Sequence, residues 1–253
     1  MTKKLTITEP ADPAYKGLYK LGGAASIFAA VLILVEVIGL VIYPAPETVS
    51  GWFDLFQSNR IIGLMDFWGL EVLMYAMFIL IFPALYFAVR KIHEGRMAIA
   101  MALALLGIGI FFATNNPFSM LSLSDQYAAA ATDAERSSFL SAGQAILSNT
   151  GQRAVGGFNT GLFLVSVAGL IISTVMLRSN SFGKTTALFG ILANALSLAD
   201  YLRQALTQSV IATLLVVLPY SLCLILWLIL AGRGLIRMGR IEGKQPPEYS
   251  IRK

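Results

Sequence analysis

The chain has 253 residues, 57% of them hydrophobic and 13% charged, with a mean hydropathy of +0.72, a balance outside ordinary soluble composition that places it in the membrane class. The formal net charge is +5, but Lys and Arg sit in short clusters between long apolar runs rather than in one patch, so nucleic acid is not implied as a partner. A single cysteine, Cys223, and a single histidine, His93, exclude an internal disulfide and the familiar Cys and His metal sites, and no cofactor is implied.

Residues 1–20 carry Lys3, Lys4, Lys16 and Lys20 ahead of an apolar run at 21–43. That run exceeds a signal-peptide core of about 7–15 residues, and no small-residue cleavage site follows before Pro44, so it is expected to stay as a span. A hydrocarbon core of about 30 Å needs about 20 helical residues. Five further runs meet that demand, at 61–89, 97–114, 156–177, 185–202 and 210–230. They lack the alternation of barrel strands, and backbone hydrogen bonds must close within each segment in lipid, so they are helices. The expectation is an all-α polytopic transmembrane bundle of six spans. One membrane domain covers 21–236, flanked by a cytoplasmic N-terminal segment at 1–20 and a basic cytoplasmic tail at 237–253.

Between the first two spans, Trp52, Phe53, Leu55 and Phe56 predict a short interfacial helix with an aromatic anchor. Between the third and fourth, residues 115–153 form a connection longer than most. Within it, Thr132, Asp133, Ala134 and Glu135 spell a T-x-x-E capping box that opens a helix running towards Ser148. Residues 120–131 also have helical composition, so an external helical hairpin is expected, lying on or dipping into the outer face. With six spans the segments outside lipid fall into two sets holding fifteen and four Lys and Arg residues. The positive-inside rule then puts both termini in the cytoplasm of a cell membrane.

Small residues recur four apart at Gly22, Ser26 and Ala30 and at Gly157 and Gly161, a spacing that lets helices within the chain approach closely. Gly183, Lys184 and Thr185 match the end of a phosphate-binding P-loop, but Arg178 stands where that motif needs its first glycine and no strand precedes it. The P-loop reading is rejected. One histidine leaves neither a Ser-His-Asp set nor an H-E-x-x-H motif, and no enzyme is expected.

Ionisable groups inside spans cost about 2.5–3.5 kcal/mol on insertion scales and mark function unless paired or displaced. Four acids qualify: Glu36, Asp66, Glu71 and Asp200. At 1.5 Å per residue from the basic end, Glu36 and Asp200 both lie about 22 Å up, Tyr75 about 22 Å, Tyr220 about 20 Å, Glu71 about 28 Å and Asp66 about 36 Å. Asp66 is expected to be solvated at the outer boundary. Glu36, Tyr75, Asp200 and Tyr220 form a candidate polar layer in the outer third, with Glu71 above it. Two readings stay open. In one, the layer holds a proton or small cation in a carrier or ligand-binding protein, since burial favours a neutral acid and suits proton coupling. In the other, Asp200 pairs with Arg203 three residues on and Glu36 bonds a neighbouring helix, and the chain is a noncatalytic accessory protein that docks a partner through the hairpin.

The stretch NPFSMLSLSDQYA from Asn116 to Ala128, with Ala134, Glu135, Arg136 and Ser141 to Gln144, resembles DUF4386, a family of uncharacterised prokaryotic integral membrane proteins. The likeness extends over about 19–240 and includes GLIISTVMLRS at 169–179 and FGILAN at 189–194. The resemblance implies a six-span bacterial membrane protein and directs interest to the hairpin. It transfers no activity, ligand or catalytic residue.

Overall fold

The structure is a computed structural model that describes residues 12–42, 45–149, 159–207 and 209–240. Lys3, Lys4, Tyr43, Arg153, Gly157, the opening of the expected fourth span at 156–158 and the tail from 241 lie outside the described residues. Every regular element among the described residues is helical.

Six long helices carry the fold: α1 (Lys16–Ile42), α4 (Leu70–Val89), α5 (Glu94–Thr114), α8 (Thr160–Met176), α9 (Lys184–Leu206) and α10 (Val210–Arg240). Shorter helices α2 (Val49–Ser58), α3 (Arg60–Leu64), α6 (Pro117–Ala129) and α7 (Asp133–Asn149) sit between them. Among the described residues five stretches are long and apolar enough to cross a membrane: Lys16–Gly39, Arg60–Ile92, Glu94–Ala129, Lys184–Gln204 and Ile211–Arg240. α8 is apolar but has only 17 residues, about 26 Å of helix. Leu188, Leu192, Leu215 and Leu222 are among many large apolar side chains half or more exposed, which in water would be a severe liability and in lipid is the preferred surface. The chain is a multi-pass membrane protein.

The long helices close into a ring in chain order, α1 against α4, then α5, α8, α9, α10 and back to α1. Missing side chains make the seams. A Cβ at Gly22 would strike that of Ala84, one at Gly161 would sit 2.7 Å from the Gly107 carbonyl, and one at Gly232 would sit 2.8 Å from the Gly23 carbonyl. Ser26, wholly buried, donates to the Leu228 carbonyl at 2.7 Å. The small-residue spacing therefore serves intramolecular contact at Gly22, Ser26 and Gly161, as close backbone approach requires.

Two expectations need correction. The second span is not one helix over 61–89. The helix breaks at Met65–Gly69, a π-type turn in which Phe67 (φ −90°, ψ 74°) and Trp68 (φ 69°, ψ −1°) leave the helical region. Phe67 is fully buried against Trp52 and Phe56, so tertiary packing outweighs helical continuity there. Asp66 lies half-buried in this break. Second, α2 does form, capped by the Thr48 hydroxyl accepting from the Gly51 N–H at 3.1 Å, but its aromatics do not anchor in an interface. Trp52, Phe53 and Phe56 are 2% exposed or less and join Val49, Phe67 and Met120 in a second core.

That core lies under the expected hairpin. Asn116 caps α6 by accepting from the Phe118 N–H at 3.0 Å, with Pro117 at the first position, where its missing N–H costs nothing. The capping box forms as expected: the Glu135 N–H donates to the Thr132 hydroxyl at 3.2 Å, and the Glu135 carboxylate accepts from the Thr132 and Ala131 N–H groups at 3.1 and 2.9 Å. α6 is fastened to α2 by polar contacts. The Ser124 hydroxyl donates to the Phe53 carbonyl at 3.0 Å, the Gln57 amide donates to Ser124 and Asp125 at 2.9 and 3.0 Å, and Arg60 pairs with Asp125 at 2.7 Å. α7 exposes residues 133–138, which are chiefly polar. Such a face belongs in water rather than in hydrocarbon.

Candidate functional site

Four helices of the ring carry the sequence-predicted residues. α1 supplies Glu36, half-buried. α4 supplies Glu71 in its first turn after the break and, one turn on, Tyr75, 1% exposed, its ring stacked on Phe111 at 3.6 Å and 9°. α9 supplies Asp200 and Arg203, and α10 supplies Tyr220 directly after Pro219, a residue that cannot donate to the preceding turn and so leaves a carbonyl free beside the site. Tyr220 lies within electrostatic reach of both Glu36 and Asp200, and Tyr75 within reach of Tyr220, Tyr201 and Glu71. Tyr220 thus links Glu36 and Asp200 on one side with Tyr75 and its neighbour Glu71 on the other.

Within that layer the acids differ. Asp200 is satisfied on its own helix: Oδ1 accepts from Arg203 Nε at 2.6 Å and Oδ2 from Gln204 Nε2 at 2.7 Å, and Arg203 also donates to the Thr207 carbonyl at 3.2 Å. Both side chains of the ion pair are largely buried, 12% exposed for Arg203 and 17% for Asp200. Of the two readings of Asp200, the helical pair is the arrangement that forms. The Tyr75 hydroxyl, in contrast, is buried with no hydrogen-bond partner among the described residues. Leaving such a group unmade costs about 1–3 kcal/mol.

A small cavity of about 20 Å³ lies at the centre of the ring, lined by Met74 and Phe78 on either side of Tyr75, by Ser166 and Asn194, and by Tyr220 and Trp227. Its walls are mostly apolar with a few convergent polar groups, and its volume suits one water-sized guest. Ser166 and Ser197 share a hydrogen bond of 2.8 Å, and the Asn194 amide donates to the Gly190 carbonyl at 2.7 Å. The Trp227 indole N–H and the Ser173 hydroxyl are buried without partners among the described residues. A Cβ at Gly190 would collide with both, so glycine there lets α8 and α10 close over α9.

Ser166, Asn194, Ser197 and Tyr201 were not singled out from sequence. Each is an uncharged polar residue inside an apolar run, and weighing only ionisable groups passes over them. Tyr201 also ties α9 to the start of α8 by donating to the Asn159 carbonyl at 3.0 Å. Among the described residues there is no group of three or more His, Cys, Asp or Glu placed to hold a metal ion.

Comparison with known families bears on the whole assembly. A family described as a domain of unknown function (DUF4386) matches residues 17–232. The chain belongs to this family. No curated protein and no solved structure matches it. The part matched to DUF4386 runs from the first turn of α1 to the last third of α10, so the ring, the hairpin and the polar layer all fall inside it. The hairpin residues that carry the DUF4386 resemblance have structural work: Asn116 caps, Ser124 and Asp125 fasten α6, and Tyr127 packs its ring 5.2 Å from that of Phe53.

Proposed function

We propose that the chain is a six-span protein of the cell membrane, with both termini in the cytoplasm, acting without catalysis as a small carrier or ligand-binding protein for a proton or small inorganic cation. The observation that carries this reading is the buried, unpartnered Tyr75 hydroxyl, within electrostatic reach of Glu71, Tyr201 and Tyr220, the last of which lines the central cavity. Carboxylate and hydroxyl oxygens are the donors of hard cations and of protons. A cavity of about 20 Å³ admits a water-sized guest and no organic substrate in this conformation. Trp68, at positive φ one residue before Gly69 and close to Glu71, adds backbone strain of the kind that gathers at functional sites. Counting α8 as a span is supported by its full membership of the ring, and the orientation by the distribution of Lys and Arg. In this reading Glu36, Glu71, Tyr75 and Tyr220 face the ligand, and the Asp200–Arg203 pair braces α9.

The test is carbodiimide labelling of the purified protein, read by mass spectrometry at Glu36 and Glu71 over a pH series and in the presence of lithium, sodium or potassium. Labelling that rises as pH falls, or that one cation suppresses, is the expected result. Labelling indifferent to every condition would sink the proposal.

A second reading, an accessory protein that docks a partner through the hairpin, is favoured by the separate core beneath α6 and α7 and by the exposed polar face of α7. Photocrosslinkers at Ser138 and Gln144 should then trap one defined partner in membranes. Crosslinks to lipid and water alone would dismiss it.

A further inference from the structure

At the basic end of the ring, the turn joining α8 to α9 faces the last turns of α10 across an open pocket of about 350 Å³. Arg233 and Arg237, one turn apart on α10, line it opposite Ser181, Gly183 and Thr186. None of these residues takes part in the polar layer, which lies towards the other end of α9.

The charged groups around this space are donors with few acceptors. Arg233 has no ion-pair partner among the described residues, and Arg237 donates only to the Ser181 carbonyl, at 3.4 Å. α9 is a helix of 23 residues whose N-cap, Gly183, offers no side-chain acceptor, so its first N–H groups and the positive end of its dipole are open. Independently of these charges, Thr186 is 6% exposed and lines the pocket, and its hydroxyl has no hydrogen-bond partner among the described residues. Two guanidiniums, the hydroxyl of a buried threonine and an uncapped helix start around one space fit a tetrahedral oxyanion, for which Arg gives paired donors and a helix N-terminus gives backbone ones. Gly183, Lys184 and Thr185 do not make a nucleotide P-loop, yet they leave the same kind of open helix start.

We propose that this pocket binds the phosphate of an anionic phospholipid headgroup. The setting favours a lipid over a free ion. Phe182 and Leu230 give the pocket an apolar floor, and α9 exposes Leu188 and Leu192 within its next two turns, surface that suits acyl chains. The same end of the ring carries Lys16, Arg90, Arg96 and Lys184, and basic pockets between spans at that level select anionic headgroups.

The test is the melting temperature of the full chain in nanodiscs of phosphatidylcholine alone, of phosphatidylcholine with phosphatidylglycerol or cardiolipin, and of phosphatidylcholine with added inorganic phosphate. Anionic lipid should raise the melting temperature of the wild type. The rise should disappear in Arg233→Gln/Arg237→Gln and persist in Arg96→Gln, a basic residue of the same end outside the pocket. Gly183→Asp guards against simple misfolding. Gly183 is at φ −68° and ψ 151°, and a Cβ there meets nothing within 4 Å, so aspartate can cap α9 while placing a negative charge in the pocket. That variant should melt no lower than wild type in phosphatidylcholine yet lose most of the rise in melting temperature that anionic lipid gives the wild type. An equal rise in Gly183→Asp, or a loss in Arg96→Gln as large as in the double variant, overturns the site. A full rise with inorganic phosphate and none with anionic lipid overturns the lipid assignment.

Discussion

Removing the guanidinium of Arg203 should strongly destabilise the protein. Asp200 and Arg203 are 17% and 12% exposed and joined at 2.6 Å, so neither charge has much solvent to fall back on. In Arg203→Met the Asp200 carboxylate keeps only the Gln204 amide at 2.7 Å. Orphaning one member of a buried pair costs about 3–5 kcal/mol. For a chain of this size 1 kcal/mol corresponds to roughly 2–4 °C, so the melting temperature should fall by roughly 6–20 °C. Asp200→Leu should cost a similar amount, because it strands Arg203. Asp200→Leu/Arg203→Met removes both charges, and apolar replacements of buried pairs are neutral or stabilising by about 1–4 kcal/mol. The double variant should therefore melt near or above wild type. Intrinsic tryptophan fluorescence during heating in detergent, assembled into a double-mutant cycle, gives the coupling directly. Single variants within about 0.5 kcal/mol of wild type that add in the double would refute the pair, and would return Asp200 to the candidate ligand groups.

Tyr75→Phe removes a buried hydroxyl that has no partner, so the ligand-free protein should gain up to about 1–3 kcal/mol; a drop in melting temperature would mean that the hydroxyl is bonded. Thr132→Ala dismantles the capping box of α7 and should cost about 1 kcal/mol, read as faster amide exchange in Asp133–Asn149 with the ring unchanged. Gly161→Ala drives a methyl to within 2.7 Å of the Gly107 carbonyl and should cost about 1–3 kcal/mol, visible as a lower melting temperature and undetectable if the α5–α8 seam is loose. In the hairpin, Ser124→Ala should cost more than Asp125→Ala, since Ser124 is wholly buried while the Arg60–Asp125 pair is 60% and 41% exposed and worth about 1 kcal/mol or less; the reverse order in a melting comparison would refute the docking of α6 on α2.

The sequence by itself determined the helical class, the presence of long apolar helices and the capping box that opens α7. Those features depend on lipid-length apolar runs and on interactions within a few residues, such as the Thr132–Glu135 box and the Asp200–Arg203 pair, and both can be counted along the chain. A ruler of 1.5 Å per residue also predicted that Glu36, Tyr75, Asp200 and Tyr220 share a level, because depth in a span depends only on position along its own helix. What depth cannot supply is azimuth. Only the tertiary structure decided that α1 closes the ring against α10, that Ser166, Asn194 and Trp227 face the central cavity, and that the Tyr75 hydroxyl is left without a partner. The break at Phe67 and Trp68 and the burial of Trp52, Phe53 and Phe56 escaped the sequence for the same reason. An apolar segment records that it avoids water but not which surface receives it, and here the receiving surface was α6, more than fifty residues further along the chain.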